Sequence, residues 1–197
     1  MKLEDREYVG SWDKDPNYFN RYFLDPETRV VSKERVVHHA QLTLGLLQHF
    51  GVAVESVLDV GCGCAWWREP STQAGAMYCG VDVNPASGAD LREDFLGLPK
   101  MVLSSLRSDL VVCQGVFHEY SDADAEECIR KVRFTTVKAM SIMNLTKADL
   151  KAGRTEQKHL YLRSLSWYES RLLPGFEKVA RGLYVRKAFL RKALELG

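Results

Sequence analysis

Asp59 lies in a short apolar run, 56–60, that is typical of a buried parallel strand, and a tight turn with Gly61 and Gly63 follows. A strand, an acid and a glycine turn that leads into a helix form the entry to a nucleotide pocket in doubly wound α/β sheets. A dinucleotide site would need a third glycine where this chain has Trp66, and Asp59 would repel a pyrophosphate. An acid beside a glycine turn instead suits a cationic ligand that approaches the backbone closely.

A second acid ends the next strand-like segment. Residues 78–84 predict a strand that ends in Asp82, about 20 residues beyond the glycine turn. An acid at this position fits a ribose diol, because its two oxygens can accept from the two hydroxyl groups. Together with Asp59, it favours S-adenosylmethionine, which carries an ammonium and a sulfonium group and no phosphate.

Four segments, in order along the chain, resemble the motifs of the class I S-adenosylmethionine-dependent methyltransferases. Residues 59–65 resemble the first motif, 80–82 the second, 90–99 the third, and 108–120 the fourth strand with its exit loop. The resemblance implies a methyltransferase with S-adenosyl-L-methionine as its cofactor. It also implies that these residues bind the cofactor: Asp59, Gly61, Cys62, Gly63, Asp82, Val83, Asp94, Phe95 and Gln114.

The resemblance further implies a role for several side chains. The first motif would surround the methionine part of the cofactor, and Asp82 would bind the ribose. Asp94 would face the adenine amino group, and Phe95 would offer a backbone N–H or a ring contact. Gln114 and Val116 would line the methionine pocket, Val116 only by van der Waals contact.

Each acid also has a structural interpretation. Asp59 would then cap the N–H groups of its own turn, and Asp82 would cap a loop. Asp94 has two acidic neighbours, Asp90 and Glu93, that compete for the adenine role.

His118 follows the fourth segment's strand, where an acceptor molecule would arrive, and it is the candidate catalytic base. The alternative, which weighs more, is that His118 starts a helix and forms local hydrogen bonds. A base is needed when the acceptor is a hydroxyl or an amine, whereas a carbanion or thiolate needs none.

Two departures from the family pattern concern helices beside the pocket. Pro70 is expected to break the first of them early, which makes that helix short. Only 11 residues lie between Asp82 and Asp94, so the usual second helix is predicted to be missing or reduced to a single turn.

The fold predicted from these features is α/β, with three Rossmann-like, doubly wound layers. Its sheet is mostly parallel and seven-stranded, with an antiparallel C-terminal hairpin strand. Strands are predicted near residues 56–60, 77–82, 89–93, 109–114, 137–143, 176–180 and 182–187. Helices are predicted near 32–50, 64–69, 99–107, 122–132 and 164–173, and the polar segment 144–160 is predicted to be a loop or lid.

The 197 residues are predicted to form a single methyltransferase domain, with an ordinary 46% of apolar residues. Residues 51–188 would form the Rossmann-like core, and 1–50 an N-terminal lid or helical extension. Aromatic residues between positions 12 and 23 suggest either a lid over the acceptor or an extension packed on the sheet edge.

The chain offers little sign of a metal or of a membrane partner. Cys62 and Cys64 have no second Cys/His pair at zinc-like spacing, so no metal is predicted. No N-terminal apolar run follows a basic start and no stretch approaches 18 apolar residues, so neither a signal peptide nor a membrane span is predicted, and a cytoplasmic location is expected.

The acceptor stays open between several hypotheses. A small organic molecule comes first, because no Asn/Asp-Pro-Pro-Tyr/Phe stretch follows the fourth segment's strand. RNA or a protein comes second, since residues 151–197 carry a net charge of +7 from 11 Lys/Arg and 4 Asp/Glu. A cofactor-binding or partner-binding domain without catalysis is third, and a nicotinamide oxidoreductase is last.

Overall fold

The computed structural model describes residues 23–25, 27, 31–152 and 161–190. The described residues contain six strands: β1 Ser56–Val60, β2 Met77–Val81, β3 Ser108–Gln114, β4 Thr136–Met143, β5 Phe176–Ala180 and β6 Leu183–Arg186. They also contain six α-helices: α1 Lys33–His49, α2 Arg68–Gln73, α3 Lys100–Ser105, α4 Asp122–Thr135, α5 Lys147–Lys151 and α6 Leu165–Leu172.

The strands form one mixed sheet in the order β2-β1-β3-β4-β6-β5. The first four of these are parallel to one another, and the antiparallel β5–β6 hairpin attaches to β4 through β6, which runs antiparallel to β4. The predicted C-terminal antiparallel hairpin is therefore confirmed. The carboxyl ends of the four parallel strands meet at one edge of the sheet, where ligands bind in open α/β folds.

Two apolar clusters lie on opposite faces of the sheet. One contains Leu58 and Val111 of the sheet with side chains of α3, α4 and α6. The other contains Val57 and Leu110 with side chains of α1 and Trp67. Because consecutive strand residues point to opposite faces, this alternation produces the predicted three layers.

The strand predicted near 89–93 does not form, so the described part of the chain contains six of the seven predicted strands. Leu91 forms a single bridge with Val81. The Gly80 N–H of β2 donates to the Asp90 carboxylate at 2.8 Å. This N–H is therefore not available to a backbone carbonyl of a neighbouring strand. Arg92 and Glu93 are exposed, which leaves the rest of this segment with no apolar face to bury.

The helix predicted near 64–69 is displaced. Ala65 has a left-handed backbone with φ of 56°, so the helix begins only at Arg68 and ends at Gln73. Pro70 therefore lies in the first helical turn, where its missing N–H costs nothing, and it does not end the helix as expected. The helix is short, as predicted, and no helix occurs between β2 and residue 99.

The remaining helices match their predictions to within a few residues. Ser32 caps α1 by accepting from the Arg35 N–H at 3.3 Å. The segment 144–160, predicted to be a loop or lid, contains the five-residue helix α5, because Thr146 and Asp149 form a capping box. Most of the aromatic N-terminal segment, and residues 153–160 and 191–197, lie outside the described residues.

Among the described residues, no helix is long and apolar enough to cross a membrane.

The β5–β6 hairpin supplies a first testable prediction. A methyl group at Gly182 would lie 2.6 Å from the Ile142 carbonyl oxygen, whereas nothing lies within 4 Å of one at Gly175. Both glycines have a positive φ, 73° and 82° respectively. Gly175→Ala should lower the free energy of unfolding by about 1 kcal/mol from backbone strain alone, and Gly182→Ala by at least about 2 kcal/mol more. Urea denaturation measures both, and equal losses would contradict this account.

Candidate functional site

The loops that leave β1 and β3 are fixed at the carboxyl edge of the sheet by backbone hydrogen bonds. The Gly61 N–H donates to the Val81 carbonyl of β2 at 2.8 Å. The Gly115 N–H donates to the Met143 carbonyl of β4 at 2.7 Å. Each bond extends the sheet pattern one residue past a strand end, so the loops start from defined positions.

The glycine turn after β1 requires glycine at position 61 and favours it at position 63. Gly61 has φ of 69°, and a Cβ there would overlap the Val116 side chain. Gly63 has φ of 54°, which also favours glycine. Ala65 is the one non-glycine residue with positive φ in the described part of the chain, a strain found most often at binding sites. The turn therefore uses a left-handed backbone at three positions, 61, 63 and 65.

Asp59 is a buried carboxylate, with 4% of its surface exposed. Its Oδ2 accepts a hydrogen bond from the Tyr78 hydroxyl at 2.8 Å. Burial raises the pKa of Asp59 to about 7, the hydrogen bond from Tyr78 opposes that rise, and the nearby Asp82 carboxylate adds to it. Within the described residues, no N–H of the glycine turn donates to Asp59, in contrast to the capping interpretation.

Asp82 joins the glycine turn to the end of β2. Its Oδ2 accepts from the Gly63 N–H at 2.8 Å and its Oδ1 from the Asn84 N–H at 2.8 Å. Burial raises the pKa of Asp82, while backbone N–H groups, including that of the adjacent Val83, act in the opposite direction. Each oxygen keeps lone-pair capacity for a further donor such as a hydroxyl group.

An ion pair that the sequence reasoning missed secures the loop after β2. Arg68, the first residue of α2, donates to both carboxylate oxygens of Asp90, at 2.9 and 3.0 Å, and to the Gly88 carbonyl at 3.1 Å. The Gly88 N–H donates in turn to the Gly63 carbonyl at 2.8 Å. These contacts attach the loop to the glycine turn although strand and helix are missing there.

Asp94 and Phe95 lie farther along the same loop. Asp94 Oδ1 accepts from the Leu96 N–H at 3.1 Å, which forms a local turn. The Phe95 side chain is 4% exposed and belongs to the apolar core under the loop, so its ring faces the core. The adenine roles of both residues stay predictions. Because the Phe95 ring packs in the core, its predicted contact with adenine would have to come from its backbone N–H.

Gln114 and Cys62 are both engaged within the protein. Gln114 accepts from the Trp67 indole N–H at 3.4 Å and donates to the Ser141 hydroxyl at 3.4 Å. Cys62 is buried beside Gly80, and burial raises the pKa of its thiol. Gln114 lies at the carboxyl edge as predicted, but its amide is directed toward the layer of α1 and α2.

His118 is buried in a short 3-10 turn, Phe117–Glu119, after β3. Its Nδ1 accepts from the Leu145 N–H at 3.3 Å, and its Nε2 is 3.6 Å from Glu119 Oε1. Burial lowers the pKa of His118 to about 4, so the ring is neutral near pH 7. These partners assign the proton to Nε2, which leaves no unengaged lone pair for proton removal. The role of a base stays a prediction.

Arg163 holds the loop that contains His118, and nothing in the sequence pattern indicated this. Its guanidinium is buried and donates to the Phe117 carbonyl at 2.8 Å and the Tyr120 carbonyl at 2.6 Å. It also pairs with Asp122 at 2.8 Å. Because the fork of N–H donors is rigid, these contacts fix the exit loop of β3 in one conformation.

The described residues contain no group of three or more His, Cys, Asp or Glu side chains arranged to hold a metal ion.

The sequence matches no family model and no curated protein. Solved structures with a similar fold include the magnesium protoporphyrin IX methyltransferase of Synechocystis with bound SAH, at 20% identity and TM-score 0.57, covering 79% of this chain and 86% of that one. The plantazolicin methyltransferase BpumL in complex with an analog and SAH has 16% identity and TM-score 0.61, covering 96% and 89%.

The N-methyltransferase NodS from Bradyrhizobium japonicum, also in complex with S-adenosylhomocysteine, has 14% identity and TM-score 0.62, covering 88% of this chain and 100% of that one. The chain therefore has the fold of the S-adenosylmethionine-dependent methyltransferases, as its motifs predicted.

The raised pKa of Asp59 predicts a dependence of stability on pH. The pKa rises from an ordinary 3.8 to about 7 on folding, so the ionised carboxylate destabilises the native state increasingly from about pH 4 upward and fully above about pH 7. Asp59→Asn should therefore raise the free energy of unfolding by about 1–4 kcal/mol at pH 8, and the gain should shrink toward pH 4.

Urea denaturation between these pH values measures the gain. The matched control is Glu177→Gln at an exposed position of β5, which should change stability little at any pH. A gain for Asp59→Asn that does not vary with pH would contradict a buried ionised carboxylate.

Proposed function

We propose that this chain is a methyltransferase that uses S-adenosyl-L-methionine and methylates a small organic molecule. The observation that carries the proposal is the pair of largely buried carboxylates, Asp59 and Asp82, on either side of a glycine turn at the carboxyl edge of the sheet. The methyltransferase fold and the SAM or SAH bound in several similar structures support it.

The residues present fit this cofactor. At Gly61 the turn packs against the side chain of Val116, the residue that the motif resemblance assigns to the methionine pocket. Asp59 and Asp82 raise the electrostatic energy of the site together, and a cation between them would lower it. A pyrophosphate would add further negative charge, which disfavours a dinucleotide.

In this proposal Asp59 and the glycine turn hold the methionine end, and Asp82 holds the ribose. When bound, the cofactor supplies an activated methyl group whose transfer turns the sulfonium into a neutral thioether. The protein's part is to hold donor and acceptor at reacting distance and to exclude water, and such positioning contributes several kcal/mol.

A small acceptor agrees with the contacts of the basic C-terminal region, because several of its basic side chains bind groups of the protein itself. Of its seven described cations, four are bound within the protein. Arg171 pairs with Glu126, Lys178 pairs with Glu169, Arg163 is buried, and Arg186 donates to backbone carbonyls. Such groups contribute little to a nucleic-acid surface, so no observation on the described residues favours RNA over a small molecule. The similar structures include a porphyrin methyltransferase and an N-methyltransferase.

Cofactor binding is tested by calorimetry with S-adenosylmethionine and S-adenosylhomocysteine, with NAD as a ligand control. Asp82→Ala removes the ribose partner and frees the Gly63 N–H, so we expect its affinity to fall by about 100-fold. Glu177→Ala, at an exposed position distant from the edge, should bind as the wild type does. The proposal would be overturned if the wild-type protein bound NAD, or if it bound neither S-adenosylmethionine nor S-adenosylhomocysteine.

The acceptor is tested by transfer of a labelled methyl group to a metabolite pool, with total RNA and protein as parallel acceptors. Once a small acceptor is found, His118→Asn separates two roles, because its Oδ1 can still accept from the Leu145 N–H. Since both ring nitrogens face protein groups, we expect turnover to stay within about tenfold of the wild type. Loss of a general base would cost about 100- to 10,000-fold and would change the pH profile.

A further inference from the structure

The Tyr78 side chain connects β2 with the acid of the first motif. Tyr78 lies two residues before Gly80, so both positions belong to the same face of the sheet. Gly80 is the direct neighbour of Asp59 in the parallel register of β1 and β2. The Tyr78 hydroxyl therefore passes along the Gly80 position to reach Asp59 Oδ2, at 2.8 Å.

Gly80 provides the space for this contact. A Cβ at Gly80 would lie 3.0 Å from the Tyr78 hydroxyl oxygen and 2.9 Å from Cys62 Sγ. Both distances are shorter than ordinary contacts of a methyl group. The backbone of Gly80 does not need glycine for its φ, so the missing side chain serves to admit the hydroxyl and the thiol.

The Tyr78 ring is held from its outer side. The Arg68 guanidinium lies 4.6 Å from the ring centroid, in cation–π geometry. Arg68 is itself fixed by its ion pair with Asp90, whose carboxylate accepts from the Gly80 N–H. The ring is thus clamped between α2 and the sheet, and its hydroxyl has a defined direction.

We propose that Tyr78 is a positioning residue for cofactor binding, whose hydroxyl orients the Asp59 carboxylate and keeps it ionised for the ammonium group of the ligand. The inference rests on the proposed function. It assigns to Tyr78 a role that acts through Asp59, since the hydroxyl is directed to the carboxylate.

The charge state of Asp59 depends on a small set of groups. The titratable and charged side chains that interact with it electrostatically are Tyr78 and Asp82 from β2 and its exit, Cys62 from the turn, Cys113 from β3, and Arg68 from α2. Of these, Tyr78 is the one that donates a hydrogen bond, which favours the ionised form. Removing the hydroxyl therefore leaves more Asp59 protonated at pH 7.

The test is binding of S-adenosylhomocysteine to the wild type and to Tyr78→Phe by calorimetry between about pH 5.5 and pH 8.5, a range that includes both expected midpoints. We expect affinity at pH 7.5 to fall by about tenfold, because a charge-assisted hydrogen bond is lost. We also expect the pH midpoint of binding to move upward by about one unit. Tyr184→Phe, which removes a hydroxyl from a buried tyrosine of β6, should change neither quantity.

A second variant tests the same contact without removing the Tyr78 hydroxyl. Gly80→Ala keeps the Tyr78 hydroxyl but should displace it from Asp59, so its pH midpoint should also move upward. Near-wild-type affinity and midpoint in Tyr78→Phe would overturn the inference, as would a loss of affinity without a shift in midpoint. If the wild type itself does not bind the ligand, the proposed function fails, which is a distinct result.

Discussion

The burial of an ionisable carboxylate at the end of β1 is the constraint around which this edge of the molecule is arranged. Asp59 lies in the layer between the sheet and α1 with α2, where a charge is costly without partners. A tyrosine hydroxyl supplies one hydrogen bond, a missing side chain at Gly80 makes room for it, and an arginine holds the ring. A core built for stability alone would place an apolar residue here, and the proposed function gives the acid a reason, which is binding of a cationic ligand.

The same edge shows how side chains replace missing secondary structure. The loop after β2 has neither the predicted third strand nor a helix, yet Asp82 and Asp90 bind backbone N–H groups of the turn and of Gly80. Farther along this loop, the Lys131 side chain of α4 donates to the carbonyls of Leu96 and Leu98. Hydrogen bonds to charged groups are stronger than neutral ones, so a few of them fix a loop that regular structure would otherwise hold.

Local periodicity accounts for what the sequence could predict. Apolar runs located β1 to β6, and the position of Asp59 and Asp82 after such runs placed both acids at the carboxyl edge. Partners far apart in sequence were not visible: the bond between Tyr78 and Asp59 depends on register, and Arg163 reaches the loop at 117–120 through tertiary packing. The segment 89–93 has a strand-like pattern, but the Gly80 N–H that a strand there would pair with donates to the Asp90 side chain.

The carboxyl edge of the sheet has two halves, one near Asp59 and Asp82 and one near His118, and different interactions determine their shapes. The half near Asp59 and Asp82 is formed by the ends of adjacent parallel strands, so its geometry follows from the fold. The half near His118 is a loop held by Arg163, which comes from a segment that follows β4. Proteins of this fold act on acceptors as different as a porphyrin and plantazolicin analogs. Because the sheet is shared among them, the proposed function assigns the selection of an acceptor to the second half of the edge.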